Sequence, residues 1–278
     1  MIELLDSSWT DIAAIDGDRR VLVMVIGPTE QHGPHLPLGT DIFAAEEMAR
    51  QVMTVLEEEC GKVAVKAPPL YFTPAVLSRL FPGSVSIRKK HYHDFLKDIL
   101  SAYAGNGLTQ AVLVSSHIDP PFVETTQQVC AAINQEFGAR YINGYERFPL
   151  QDVASGQAEQ LFGYGKPGDV HAGLMETSNM LYIRPELVKT HVVTSLDDAP
   201  LSFESMARLR TLRDFGRGLG YVGYPAGANA HYGRMWFERY ARMFADVIRG
   251  YCRGEDVWDQ LSIRPVLAQL EAQFSAPN

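Results

Sequence analysis

Continuous apolar runs alternate along this chain with segments whose apolar positions recur at helical period. Val21-Leu-Val-Met-Val-Ile26 is unbroken, rich in β-branched residues, and stops at Gly27-Pro28. A strand covered on both faces has this pattern. A loop rich in Gly, Pro and His spans 27–40, after which Phe43, Ala44, Met48, Val52 and Leu56 share one face of a helix starting near Asp41. Val63–Ala67 predicts a second strand, ended by Pro68-Pro69. Ala111–Val114 predicts a third, ended by Ser115-Ser116-His117, and 139–142 a short fourth. Between them, 91–104 reads as a helix with Phe95, Ile99, Leu100 and Tyr103 inward, and 122–137 as another with Val129, Ile133 and Phe137 inward.

Further on, 150–170 reads as Gly-rich and irregular, Met175–Leu181 as a helix, Val192-Val193 as a strand, and Ser202–Arg217 and Tyr232–Tyr251 as helices. The last carries the stripe Trp236, Tyr240, Met243, Phe244, Val247, Ile248. Alternating strands and helices predict a layered α/β domain with a mostly parallel sheet. With no linker and no internal repeat, 1–278 reads as a single domain.

Composition narrows the function. At 278 residues, 46% hydrophobic and 21% charged, the chain affords a sizeable core and is not a disordered or fibrous type. Lys+Arg number 25 against 33 Asp+Glu, a net charge of −8, with no basic tract. That argues against a nucleic-acid partner. Cys60, Cys130 and Cys252 form no CxxC pair and are odd in number, which argues against a disulfide framework or zinc ribbon and sets the expectation of a reducing cytoplasm. The start, Met-Ile-Glu-Leu-Leu-Asp, lacks the basic region of a signal peptide, and no apolar run is long enough for a membrane span.

In parallel sheets the ligand site lies beyond the carboxyl ends of the strands. Two strand ends here carry metal-ligand residue types. Glu30 and His32, two apart, project to one side of an extended chain, and Asp41 follows the loop. His117 and Asp119 repeat the spacing after the third strand. Three carboxylates and two imidazoles suit Zn²⁺, Mn²⁺ or Fe²⁺. Packed together, the acids repel unless cations neutralise them. Five ligands with one bridging carboxylate suit two metals sharing a hydroxide. On spacing alone a plainer reading stands beside this one: a histidine at a strand end is often a loop or core residue, and the glycines and prolines here also shape a turn.

Glu30-Gln-His32-Gly-Pro-His35-Leu-Pro-Leu-Gly-Thr-Asp41 resembles the signature of the creatininase (creatinine amidohydrolase) family. Phe81-Pro-Gly-Ser84, His171-Ala-Gly-Leu-Met-Glu176-Thr-Ser178 and Gly223–Ala230 with Gly233 resemble further segments of that family in the same order, so the likeness runs from about residue 20 to 250. It implies a three-layer α/β/α sandwich with a dinuclear metal centre that hydrolyses amides or related C–N bonds. It places Glu30, Asp41 and His117 on one divalent metal ion and His32, Asp41 and Asp119 on the other, Zn²⁺ foremost, with Mn²⁺ or Fe²⁺ as alternatives. It makes His171 the group that moves a proton to the leaving nitrogen. Glu176 stands beside it, either serving the site or pairing with an arginine. A small-molecule substrate and a homo-oligomer, hexamer or dimer, are implied as well, with no nucleic acid and no membrane.

The departures bear on substrate. Asp119 stands where creatininase has a Glu one methylene longer, so either the backbone moves closer or that metal is weakly held. Ala75, Leu77 and Ser78 occupy places that in many members hold a Ser-x-Glu-His segment, which makes a polar wall apolar. Pro167 and Gly168 stand where creatininase has a Trp-Asp pair, which argues against creatinine itself. The expected reaction is therefore hydrolysis of another amide, cyclic or a formamide. The alternatives are a member that binds metal or ligand without turnover, or a lactone hydrolase or isomerase using the same metals.

Overall fold

The computed structural model describes residues 1–144, 166–202, 211–262 and 265. Its strands and helices, in chain order, are β1 (Ile2–Glu3), α1 (Trp9–Ala13), β2 (Arg20–Val25), α2 (Thr40–Glu58), β3 (Val63–Lys66), α3 (Lys89–Gly105), β4 (Gln110–Val114), α4 (Pro120–Phe137), β5 (Arg140–Gly144), α5 (Leu174–Ile183), α6 (Thr190–Val193), α7 (Ala230–Cys252) and α8 (Trp258–Leu261). The strands form one sheet in the order β1-β3-β2-β4-β5, with every pairing parallel.

Alternate residues of the run 21–26 enter two different cores. Val21, Val23 and Val25 pack with α2 and α7, whereas Leu22, Met24 and Ile26 pack with α3 and α4. All six are at most 3% exposed, which is why no polar residue interrupts the run. The connection β2–α2–β3 travels one way along the sheet and β3–α3–β4 travels back. With right-handed crossovers, the two helices must cover opposite faces, as they do. The crevice where direction reverses lies at the carboxyl ends of β2 and β4.

Helix α4 begins at Pro120-Pro121, where the missing N–H groups cost nothing, and ends at Gly138 in the left-handed conformation (φ 59°). Against it, α3 buries Tyr92, Leu96, Leu100 and Ala104; of the expected inward residues, Leu100 is buried and Ile99 and Tyr103 pack against the core, whereas Phe95 is 53% exposed. The Tyr92 hydroxyl is satisfied by Thr126 Oγ1 of α4 at 2.8 Å. Val192-Val193 lies in α6, a helical turn, and not in a strand. Residues 212–214 and 216–218 form separate 3-10 turns, so the helix expected over 202–217 does not extend through them. Residues 203–210, and the part of 150–170 before 166, lie outside the described residues. No helix among the described residues is long and apolar enough to cross a membrane.

Helices α5 and α7 approach so closely that a Cβ on Gly233 would run into the Ser178 carbonyl and the Asn179 backbone. Gly233→Ala should lower the unfolding free energy by about 1–3 kcal/mol, because backbone cannot yield as a side chain does. Gly105 has only an ordinary contact with Phe137 in reach, so Gly105→Ala should be neutral or stabilising by up to about 1 kcal/mol. Denaturant unfolding of the two variants checks the contrast.

Candidate functional site

Because β2 and β4 pair in parallel, with Val25 opposite Val114, the segments that follow them emerge side by side. The first folds back on itself. Glu30 N–H donates to Leu38 O at 3.0 Å and Gln31 N–H to Ser84 Oγ at 2.9 Å, while Val85 N–H donates to Thr29 O at 2.9 Å. The Phe81–Ser84 turn thus holds the Glu30 loop in place. Asp41 enters from the first turn of α2, and His117 from the segment before α4. His171 is held by backbone pairing with Val222, and Glu176 sits in the first turn of α5.

These side chains converge. His117 Nδ1 lies 3.1 Å from Glu30 Oε1 and 3.4 Å from Asp41 Oδ2. His32 Nε2 lies 3.5 Å from Asp41 Oδ1 and 3.8 Å from Glu176 Oε2. Asp41 therefore stands between two groups, Glu30–Asp41–His117 and His32–Asp41–Glu176, each with ligand atoms within 4.8 Å of one another. Glu30, His32 and His171 form a third such group, and the His32 and His171 rings lie 4.4 Å apart, centre to centre. Asp119 belongs to none of these groups. Its Oδ2 accepts from Val76 N–H at 2.8 Å instead.

The outer nitrogens of both histidines face backbone carbonyls: His117 Nε2 lies 3.0 Å from Pro74 O and His32 Nδ1 3.2 Å from Glu30 O. A carbonyl only accepts, so these nitrogens carry protons and the inner ones face the carboxylates. That second contact is what fixes the ring of a metal-ligating histidine. His32 Nε2 and Asp41 Oδ2 are buried without a hydrogen bond. Orphaned inner donors among carboxylates fit a divalent cation with mixed N/O ligands.

Without a cation, protons must do the neutralising. Burial alone would depress His32, but Asp41 and Glu176 lift it to about 10. His117 likewise resists burial and is held well above its ordinary value by Glu30 and Asp41. Burial would raise Asp41, yet His32 and His117 hold it well below the carboxylate range. Burial raises Glu176 to about 7, with His32 opposing. His171 goes the other way: burial, then His32, lower it to about 4.

Several groups carry no signal in sequence spacing. Ser78 Oγ donates to Glu30 Oε2. His35 is a packing residue, bonded through Nε2 to Thr177 Oγ1 at 2.8 Å. Asp169 receives the Leu174, Met175 and Tyr224 N–H groups at 2.7, 3.0 and 3.1 Å, tying the start of α5 to the segment that pairs with His171. Gly173 and Gly223 are small because a Cβ on either would strike that carboxylate. Their recurrence around the His171 motif was the available clue. Among the other histidines, His91 and His231 are exposed.

Over the cluster opens a cavity of about 220 Å³ with Glu30, Asp41, His117, His171 and Glu176 at its floor and Leu77, Leu201 and Leu212 in its wall.

A family model described as creatinine amidohydrolase matches residues 5–248. The chain belongs to the creatininase family. Its class is accordingly that of a metal-dependent C–N hydrolase, and the fold expected from the resemblance is the fold observed. The mycofactocin precursor peptide peptidase of Mycolicibacterium smegmatis is 29% identical over 231 residues, 83% of this chain and 82% of that one. The 3-dehydro-scyllo-inosose hydrolase of Thermotoga maritima is 26% identical over 187 residues, 66% of this chain and 56% of that one. A candidate creatinine amidohydrolase from Bacteroides fragilis superposes with a TM-score of 0.70 at 21% identity, over 90% of this chain and 96% of that one.

Two outcomes follow for this enzyme. Cation binding needs both histidines neutral. With His32 at about 10 and His117 well raised, loading at pH 7 should release about one proton from each ring and a further fraction from Glu176, raised to about 7, and should weaken as pH falls. Calorimetry in buffers of different ionisation enthalpy counts those protons. Asp169→Ala leaves three buried amides unpaired and should cost about 1–3 kcal/mol per amide at most, read by denaturant unfolding.

Proposed function

We propose that the enzyme hydrolyses an amide of a small molecule other than creatinine, using two divalent cations. The observation that carries this is Asp41, placed between two three-residue groups that each combine carboxylate and imidazole. Glu30, Asp41 and His117 would hold one cation. His32, Asp41 and Glu176 would hold the other, Glu176 standing in the place that the resemblance gives to Asp119. Zn²⁺ suits these donors best, with Mn²⁺ and Fe²⁺ as alternatives. When bound, such a pair supplies Lewis-acid polarisation of a carbonyl and lowers the pKa of an attacking water.

The chain's own groups do the rest. His171 Nε2 lies 2.8 Å from Gln31 O and 3.1 Å from the Gln31 side-chain Nε2, which holds the ring in place beside His32. The neutral ring keeps one bare nitrogen, able to accept a proton and return it to the departing nitrogen. The depressed pKa keeps this ring neutral at pH 7. The Ala172 N–H, turned by a left-handed backbone (φ 49°), donates to Glu176 Oε2 and fixes that carboxylate toward His32. Creatinine is disfavoured by Pro167 and Gly168, which offer no aromatic face before His171. A peptide bond is one amide that suits the site, in line with the name of the mycobacterial relative.

Elemental analysis should find about two metals per chain. Glu30→Ala and His32→Ala should each lose metal, and two metals retained in both variants would overturn the assignment. His171→Ala should keep its metals while kcat against a cleaved amide falls about 10²–10⁴-fold.

A further inference from the structure

We infer that the pocket takes an uncharged aliphatic or aromatic side chain borne next to the scissile amide, an inference that rests on the hydrolase reading above. Above the polar floor, the wall is formed by Leu77, Ile118, Val170, Leu201, Leu212 and Val222. They come from four stretches of chain, yet all line the cavity that holds Glu30, Asp41 and His117. Apolar surface beside a hydrolytic centre is favourable only when something apolar covers it.

The wall is braced rather than loosely draped. Leu77 O accepts from Leu212 N–H at 3.0 Å and from Thr211 Oγ1 at 3.2 Å. Leu201 N–H donates to Gly168 O at 2.9 Å, and Val170 N–H to Val222 O at 2.9 Å. Behind Leu77, the Asp119 carboxylate takes the Val76 N–H through Oδ2 at 2.8 Å. A wall fixed this way selects by size, since it does not collapse onto a small guest.

Charge points the same way. No Lys or Arg is among the described residues lining the cavity, so among them an anionic side chain meets no basic partner. A cationic one would lie mainly against leucine, isoleucine and valine, with Asp119 the one carboxylate of the lining outside the floor and its Oδ2 taken by the Val76 amide. Either charge would lose water without compensation.

The test uses metal-loaded protein and amino-acid hydroxamates, whose amide-like head binds metal while the side chain varies. Calorimetric affinity is compared for the glycine, leucine, phenylalanine, glutamate and lysine derivatives. Leucine and phenylalanine hydroxamates should bind about 10–200-fold more tightly than glycine, with glutamate and lysine no better than glycine. Leu77→Ala, or Leu212→Ala if that variant fails to fold, should reduce the leucine-to-glycine ratio about tenfold. Equal affinities across the series, or a preference for a charged side chain, would overturn the inference. Hydrolysis of the matching dipeptide amides is measured separately. Selective binding without hydrolysis would sink the amidase reading while leaving the pocket's preference standing, and unselective binding with hydrolysis would do the reverse.

Discussion

The constraint on which this structure turns is the cost of holding three buried carboxylates within a few ångströms of one another. Glu30, Asp41 and Glu176 are each at most 8% exposed. Acids this close cannot all ionise without positive charge between them. His32 and His117 supply it as protonated rings when no cation is present, which is why their pKa values rise against the pull of burial. A cation takes over the same duty by displacing those protons. The geometry thus keeps one electrostatic condition under two chemical occupants.

The fold meets that condition by bringing the ligands to the sheet's reversal point. Parallel pairing of β2 and β4 sets their exits together, and the crossover directions leave the crevice between α2 and α4 open. Supporting contacts then hold the cluster: Ser84 on the Glu30 loop, Pro74 behind His117, Thr177 on the packing residue His35 and Asp169 at the start of α5.

Much of this was legible in the sequence because the physics is local. Val21–Ile26 declares itself as a doubly covered strand, and Glu30, His32, Asp41 and His117 stand at strand and helix ends where ligands gather. What escaped was decided by distant partners. The α3 stripe is broad, and its centre depends on Tyr92 finding Thr126 of another helix. Val192-Val193 has β-branched residues but no strand to pair with, so it turns helical with its neighbours. The positions of Asp119 and Glu176 likewise rest on distant backbone: Asp119 Oδ2 takes the Val76 amide, and Glu176 accepts from the Ala172 amide at a left-handed backbone turn. Neither is visible in spacing.

The divided origin of the pocket has an evolutionary consequence. Its floor is anchored to strand ends and helix starts, where any shift disturbs the charge balance. Part of its wall, Ile118, Val170 and Val222, adjoins His117 and His171, but the rest comes from loops around residues 77, 201 and 212. Mutations in these loops can reshape what is admitted while the hydrolytic apparatus is inherited intact. Substrate range and reaction chemistry are thereby separable traits in this scaffold, free to diverge at different rates.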